Sequence, residues 1–336
     1  MARHNRRSTR PLEDLPNLFG GEETELLHEL TLQTIEDSKK RAVTKTPAEE
    51  MSVPDEYRGP RRELRFMSLG SGSSGNCAYV GTPDAGILID AGVDNKKVDT
   101  ELARNSIDIN TIKGIFLTHD HADHVKFAYS ILRRHPHMRL YSTLKVLEGL
   151  LRRHNISRRI KEYHTPIFKE HEYVFDGIVV IPFETSHDGT DNCGFAITLG
   201  DTHLVIATDM GIVTERADHY MRQASTIVIE SNYDADMLEN GRYTEYLKAR
   251  IRSSRGHMNN SVTAKYLTDI YTPSLRHIFL CHLSEDNNTP ETAVATTINA
   301  LRTRDIRPAT SILDIPDKRV FITALPRHET TPLYVL

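Results

Sequence analysis

The stretch Thr118-His119-Asp120-His121-Ala122-Asp123-His124 places three imidazoles and two carboxylates within seven residues. The apolar run 113–118 before it predicts a buried strand, and apolar residues at helical spacing over 125–133 predict a helix after it. The stretch therefore lies where a strand ends and a helix begins, a usual place for a ligand site in an open α/β sheet. Neutral imidazoles and ionised carboxylates are side chains that bind zinc, manganese or iron.

The spacing within this stretch also favours a metal site over a simple turn. His119 and His121, two residues apart on an extended segment, can point the same way. Asp123 and His124 would leave from the first helical turn, so one short segment can serve two ions. A polar turn with an aspartate capping the helix would explain one carboxylate but none of the histidines.

The composition is that of an ordinary globular protein. The chain has 336 residues, 38% of them hydrophobic and 26% charged, which allows one large or two small domains. The net charge of −4 excludes a uniformly basic nucleic-acid binder, but it allows a local basic patch. Cys77, Cys193 and Cys281 are far apart and form no Cys-x-x-Cys motif, which favours a reducing cytoplasm over a disulfide framework.

Residues 1–62 differ from the rest of the chain. They are rich in proline and mixed charge and poor in aromatic residues, which predicts a largely disordered extension. An alternative is a short amphipathic helix near 25–41 that tethers the protein or docks a partner. The basic N-terminus is followed by no apolar signal segment, and no apolar run approaches the length of a membrane span. We therefore expect the folded domain over 63–336, in the cytoplasm and without a membrane partner.

Strand ends elsewhere in the chain carry residues of the same chemical kind. Apolar, β-rich runs finish at His187, Asp209 and His282. A lone histidine at a strand end is more often structural than a ligand. Three such ends, together with the histidine-rich stretch, are hard to assign to chance.

A glycine–serine loop, Gly70-Ser-Gly-Ser-Ser-Gly-Asn76, follows the first predicted strand of the domain. It lacks the Gly-x-x-x-x-Gly-Lys phosphate signature, and many hairpins are merely glycine-rich. Its backbone N–H groups and hydroxyls could still hold an anion such as a terminal phosphate.

These motifs resemble those of the metallo-β-lactamase-fold hydrolases over residues 64–336. The resemblance implies an α/β fold, a four-layer αββα sandwich. It also implies seven metal ligands that bind two divalent ions, zinc or manganese with iron as a further candidate. His119, His121 and His187 would hold one ion, Asp123, His124 and His282 the other, with Asp209 between them.

Further motifs narrow the resemblance to one family. The 72 residues from 210 to 281 are too few for the large inserted domain of the β-CASP nucleases. The glycine–serine loop and four later segments look most like the YycJ (WalJ) family, a bacterial group associated with 5′-to-3′ exonuclease activity on DNA. The four segments are Thr185-Ser-His-Asp188, Thr208-Asp-Met-Gly211, Arg255-Gly-His-Met-Asn-Asn260 and Cys281-His-Leu-Ser284. Met258 stands where leucine is more usual.

The resemblance implies a metal-dependent phosphodiester hydrolase, a 5′-to-3′ DNA exonuclease in which two metals activate water. Nucleic acid, with DNA favoured, is the expected partner. Since fold alone does not fix function, an RNA-processing nuclease and a small-molecule hydrolase acting on thioesters or cyclic phosphodiesters remain alternatives. A non-catalytic binding module is disfavoured, because seven ligands without chemistry have no evident purpose.

Two residues, Asp123 and His257, are assigned to catalysis. His257 follows the basic run Lys248–Arg255 and is a candidate proton donor or phosphate contact; the alternative is a surface histidine after a glycine helix stop. This run and the basic run 152–161 could hold a substrate backbone, giving salt-sensitive binding. The predicted substrate contacts are Ser71, Ser73, Ser74, Asn76, Arg255, His257 and Asn260.

Overall fold

The computed structural model describes residues 63–313, 315–316 and 318–336. The extension expected over residues 1–62, with its helix near 25–41, lies outside these described residues. Within the described ranges, no helix is both long and apolar enough to cross a membrane.

One mixed sheet contains seven strands. In chain order they are β1 (Arg65–Gly70), β2 (Cys77–Gly81), β3 (Gly86–Ile89), β4 (Ile112–Phe116), β5 (Arg139–Ser142), β6 (His164–Pro166) and β15 (Tyr334–Val335). Their order across the sheet is β15-β1-β2-β3-β4-β5-β6. The pairs β1–β2 and β2–β3 are antiparallel, whereas β3 to β6 run parallel to one another.

The other mixed sheet contains eight strands. They are β7 (Tyr173–Phe175), β8 (Ile178–Glu184), β9 (Cys193–Leu199), β10 (Thr202–Ala207), β11 (Thr226–Glu230), β12 (His277–Cys281), β13 (Arg307–Pro308) and β14 (Arg319–Ala324). Their order is β13-β14-β12-β11-β10-β9-β8-β7. Strands β10, β11, β12, β14 and β13 run parallel, and β7 to β10 are joined by antiparallel pairs.

Helices cover the outer faces of both sheets. They are α1 (Asn95–Arg104), α2 (Ala122–Val125), α3 (Ala128–Arg134), α4 (Leu144–Arg153), α5 (Glu215–Met221), α6 (Ala235–Asn240), α7 (Glu245–Arg252), α8 (Asn260–Ile270) and α9 (Pro290–Arg302). Short 3-10 turns occupy Ile109–Thr111 and Arg158–Tyr163. Most helices begin with a side-chain cap, such as Thr143 on α4 and Thr289 before the proline of α9.

Three apolar clusters define the layers. Side chains of both sheets, including Phe116 and Phe195 with ring centroids 5.6 Å apart, meet in a central core. A second cluster packs the outer face of the seven-stranded sheet against α1, α3 and α4. A third packs the eight-stranded sheet against α5, α8 and α9. The predicted four-layer αββα sandwich is therefore confirmed.

Strand direction places the predicted ligands together. Strands β3 and β4 of one sheet share a direction, and so do β8, β10, β11 and β12 of the other. Both sets end at the same edge of the sandwich, since His124 after β4 contacts Asp209 after β10. His119, His187, Asp209 and His282 all follow the ends of these strands. The carboxyl ends of parallel strands form the usual crevice for ligands in α/β proteins.

Candidate metal centre

Three histidines from two loops converge on one side of this edge, His119 and His121 from the loop after β4 and His187 from the loop after β8. The ring centroid of His119 lies 4.6 Å from that of His121 and 5.0 Å from that of His187. His187 Nε2 lies 3.3 Å from His121 Nδ1. One nitrogen of each ring lies within 4.8 Å of the others, so the three imidazoles could share one cation.

A second group adjoins the first. Asp123 Oδ2 lies 3.4 Å from both His124 Nε2 and His282 Nε2. Asp209 reaches both sides of this group, with Oδ2 2.9 Å from His124 Nε2 and Oδ1 2.9 Å from His282 Nδ1. The structure thus brings all seven predicted ligands together. We refer to them as the ligand cluster: His119, His121, Asp123, His124, His187, Asp209 and His282.

Two atoms of the ligand cluster show that it fits divalent cations. Among the residues that the structure describes, His119 Nε2 is buried without a hydrogen-bond partner, and buried Asp209 Oδ2 has only its 2.9 Å ion-pair contact with His124 Nε2. A buried polar atom without a partner is costly, so most are satisfied. His119, His124 and Asp209 offer ligand atoms within 4.8 Å of one another, and a cation between them would satisfy both atoms.

Oxygen atoms behind the imidazoles hold the rings in place. His124 Nδ1 lies 2.7 Å from Asp90 Oδ2, and His187 Nδ1 lies 2.9 Å from the carbonyl oxygen of Gly256. His121 Nε2 lies 3.2 Å from Asp188 Oδ1. An N–H directed at such an oxygen fixes the ring and leaves its other nitrogen for a metal.

Comparison with known proteins places the chain in a family. A family model described as a beta-lactamase superfamily domain matches residues 86–282. The exodeoxyribonuclease YycJ of Bacillus anthracis is 35% identical over 231 residues, which make up 68% of this chain and 86% of that protein. The exodeoxyribonuclease WalJ of Streptococcus pneumoniae is 30% identical over 244 residues, or 72% of this chain and 90% of that protein. The chain belongs to the YycJ (WalJ) family of the beta-lactamase superfamily.

Solved structures agree with this family in fold. The metallo-β-lactamase-fold protein YhfI from Bacillus subtilis superposes with a TM-score of 0.58 at 12% identity, covering 80% of this chain and 99% of YhfI. Zn²⁺-bound PqqB from Methylobacterium extorquens gives a TM-score of 0.55 at 16% identity, with the same two coverages. Membership of the YycJ (WalJ) family, together with the ligand cluster, identifies this protein as a metal-dependent hydrolase.

Burial and neighbouring charges shift the pKa values of the histidines in the ligand cluster in opposite directions. Burial, reinforced by neighbouring histidines, lowers the pKa of His119 well below its usual range and that of His121 to about 4. Burial would also lower the pKa of His124, but Asp209 and Asp90 raise it well above its ordinary value. The carboxylates on this side therefore attract positive charge, which a divalent cation can supply in place of protons.

The backbone is strained where the site residues leave their strands. Asp90, Asp209 and His282 have φ angles of 64°, 40° and 54°, in the left-handed region that non-glycine residues rarely adopt. Such residues cost free energy and cluster at functional sites. Each follows a parallel strand directly or by one residue, so the strained turn aims its side chain at the ligand cluster.

An ion pair between His257 and Glu230 lies beside the ligand cluster. His257 Nδ1 lies 2.7 Å from Glu230 Oε1, which is also 2.9 Å from His282 Nδ1. The backbone N–H groups of Met210 and Met258 donate to Glu230 Oε2. Burial would lower the pKa of His257, but Glu230 raises it above its ordinary value. The Glu230 carboxylate thus favours the protonated form of His257, and the surface-histidine alternative does not describe a ring paired with a buried carboxylate.

Neither Asp90 nor Glu230 is predicted from the sequence to belong to the site. Both carboxylates are fully or almost fully buried and contact predicted ligands. The sequence does contain a signal for both residues, because Glu230 ends an apolar strand and Asp90 directly follows one. This is the same pattern that marks His187, Asp209 and His282.

The predicted substrate contacts fall into two sets. Ser73, Ser74, Arg255 and His257 are exposed or half-buried near the site, and Arg255 Nε donates to the carbonyl oxygen of His187. The other set is 1–5% exposed and hydrogen-bonded within the fold: Ser71 accepts from His282 N, Asn76 donates to Asp123, and Asn260 pairs with Ser231 and Asn288. A substrate contact by these three would require their networks to open.

The basic side chains of α7 differ in their partners: two are bound within the fold and one lies at the site. Lys248 is 5% exposed and donates to the carbonyl oxygen of Glu239, and Arg252 pairs with the Glu239 carboxylate. Arg250 instead binds Asp188 at 2.6 Å. On the other side, Arg152 donates to Thr190, next to the histidine-rich stretch.

Gly92 allows the histidine-rich stretch to pack against the glycine–serine loop. A Cβ at this position would lie 1.6 Å from the carbonyl oxygen of Asp123, which accepts a 2.7 Å hydrogen bond from Asn76 N. Gly92→Ala is therefore expected to lower the free energy of unfolding by about 1–3 kcal/mol and to reduce metal content. Denaturant unfolding and elemental analysis measure both quantities.

Gly200→Asn is the matched control for this substitution. Nothing lies within 4 Å of a Cβ at Gly200, and asparagine tolerates its φ of 57°. Wild-type stability and metal content in Gly92→Ala would contradict the close packing described here.

Proposed function

We propose that this protein is a phosphodiesterase that removes nucleotides from the 5′ end of DNA. The observation that carries the proposal is the His257–Glu230 ion pair beside the ligand cluster. An alkoxide leaving phosphorus is a strong base and needs a proton donor, whereas a thiolate leaves readily without one. A fixed imidazolium next to the cluster therefore favours phosphodiesters over thioesters. The names of the related exodeoxyribonucleases support DNA as the substrate.

The ligand cluster suits two ions, and we propose zinc or manganese with iron as the remaining candidate. His119, His121 and His187 would hold one, Asp123, His124 and His282 the other, and Asp209 would contact both. When bound, such a pair supplies Lewis acidity that activates water and neutralises charge developing on phosphate oxygens.

The protein's own side chains have separate tasks in this proposal. The Asp123 side chain is 20% exposed, against 3% for Asp209, so of these two ligand carboxylates Asp123 is the one that solvent reaches, and we assign it to accept the proton of attacking water. His257 donates a proton to the leaving oxygen. Glu230, fully buried, holds the ring of His257 in position.

Exposed polar residues around the ligand cluster would bind the substrate backbone. Ser73 and Arg250 line the cleft that contains His257 and His282. Ser74 and Arg255 are exposed nearby, and we retain them as phosphate contacts. Because each guanidinium that neutralises a phosphate releases counterions, we expect the affinity for DNA to fall as salt rises.

Two further proposals concern the bounds of the catalytic domain and the cellular compartment. We propose residues 63–336 as the catalytic domain, because the described part of this segment contains the whole ligand cluster. We also propose the cytoplasm, because Cys77, Cys193 and Cys281 are buried free thiols.

Metal-loaded protein incubated with end-labelled single- and double-stranded DNA and RNA tests the function. With 5′-labelled DNA, we expect immediate release of the label as a mononucleotide. With 3′-labelled DNA, we expect a ladder of shortening strands. Release from the 3′ end would contradict the polarity, and faster shortening of RNA would favour an RNA-processing nuclease. Hydrolysis of thioesters or cyclic phosphodiesters without shortening of any strand would refute the proposal.

A further inference from the structure

Helix α7 forms one wall of the cleft beside the ligand cluster. Its residues Leu247, Arg250 and Ile251 line the same space, of about 210 Å³, as His257 and His282. A strand that leaves this space on the α7 side, away from the reacting groups, would pass over the surface of this helix.

Among the basic side chains of α7, one guanidinium lies in the wall of the cleft. Of the three basic residues of this fully described helix, only Arg250 lines the cleft. Lys248 and Arg252 are bound to Glu239. The cleft side of α7 therefore presents one guanidinium rather than a continuous basic stripe. Arg250 pairs with Asp188 at 2.6 Å, and a substrate phosphate would take the place of this carboxylate.

Tyr246 lies beside that charge. It precedes Arg250 by four residues, which places the two side chains next to each other on one face of the helix. Within the described residues, the exposed large apolar side chains are Val174, Ile212, Tyr246, Val262 and Leu313. Tyr246, at 83% exposure, is the most exposed of them and the only aromatic one. A ring this exposed adds little to the core, so packing does not explain it.

We propose that Tyr246 is a stacking platform for an unpaired nucleobase of the substrate strand, next to the phosphate held at Arg250. This inference rests on the proposed function, since it assumes that the cleft takes nucleic acid. An aromatic ring beside a guanidinium matches the two parts of a nucleotide, because the ring stacks on the base and the cation binds the phosphate. The preferred substrate is then a strand whose bases are unpaired at the end being cut.

Kinetics on two DNA strands test the stacking. One strand is an ordinary single-stranded oligonucleotide, and the other carries abasic residues at its first positions with the same phosphates. We expect the wild-type enzyme to favour the base-bearing strand by about tenfold in kcat/KM, within the range of one stacking contact. Tyr246→Ala should bring this ratio close to one by raising KM for the base-bearing strand, whereas Tyr246→Phe should keep the ratio.

Leu313→Ala is the matched control, because Leu313 is 77% exposed but lies away from the cleft. Its neighbour Ile312 contacts His277, which is at the opposite end of β12 from His282. This variant should keep the wild-type ratio. If Tyr246→Ala also keeps it, or if Tyr246→Phe loses it, the stacking proposal is wrong while the exonuclease proposal stands. If the wild-type protein shortens neither strand, the proposed function itself fails.

Discussion

Replacing Asp209 with asparagine is expected to lower phosphodiester hydrolysis by about a thousandfold or more and to reduce metal content below two ions per chain. Asp209 is 3% exposed and lies 2.9 Å from ring nitrogens of both His124 and His282. We propose that its carboxylate joins the two halves of the ligand cluster, because it also offers a ligand atom within 4.8 Å of one on His119. Asparagine keeps the size of the side chain but removes the shared negative charge. Losing several kcal/mol of charge stabilisation corresponds to this loss of rate.

Elemental analysis and hydrolysis of bis(p-nitrophenyl) phosphate measure the two effects of Asp209→Asn. Asp201→Asn is the matched control, because Asp201 is an exposed aspartate in the turn between β9 and β10. It should keep wild-type activity and metal content. An Asp209→Asn protein that binds two ions and stays within about tenfold of wild-type kcat/KM would show that Asp209 is not a shared ligand.

The site could be predicted largely because its ligands follow strands that are recognisable one at a time. His119, His187, Asp209 and His282 each come just after an apolar, β-rich run. Since parallel strands share an edge, recognising the runs was enough to predict that these residues meet. The two residues Gly200 and Asp201 between β-rich runs are a local signal of the same kind, which indicates a hairpin, and this hairpin forms between β9 and β10.

Glu230 could not be assigned because its role depends on contacts between distant parts of the chain. It ends β11, which lies between β10 and β12 in the sheet. That position brings Glu230 to His282, 52 residues later, and to His257 on the loop before α8. The sequence shows an acidic residue at a strand end but not which neighbours the sheet order gives it.

Polar residues of the glycine–serine loop illustrate the opposite difficulty. Ser71 and Asn76 are chemically able to bind phosphate, but Ser71 accepts a hydrogen bond from His282 N and Asn76 bonds Gly72 and Asp123. Asn260 is likewise committed to Ser231 and Asn288. Local sequence indicates what a side chain can bind, whereas the fold decides whether its atoms are already in use.

Replacing His257 with alanine should separate proton donation from the other functions of the site. We expect kcat for DNA to fall by about 10² to 10⁴, the usual contribution of a positioned acid. The loss should be far smaller for bis(p-nitrophenyl) phosphate, because its leaving group is stable as an anion and needs no proton. Asp209→Asn, in contrast, should reduce hydrolysis of both substrates.

Glu230→Gln provides a second test of the same proton donor. Glu230 has no contact with substrate in the proposed mechanism, since it is fully buried behind His257 and His282. Losing its charge should lower kcat for DNA by about 10- to 100-fold, again with a smaller effect on bis(p-nitrophenyl) phosphate. As the pH is raised, activity on DNA should be lost at a lower pH than in the wild type, because without the Glu230 charge the pKa of His257 falls and the ring loses its proton earlier. Equal losses on both substrates in His257→Ala would mean that His257 supports the ligand cluster and is not the acid.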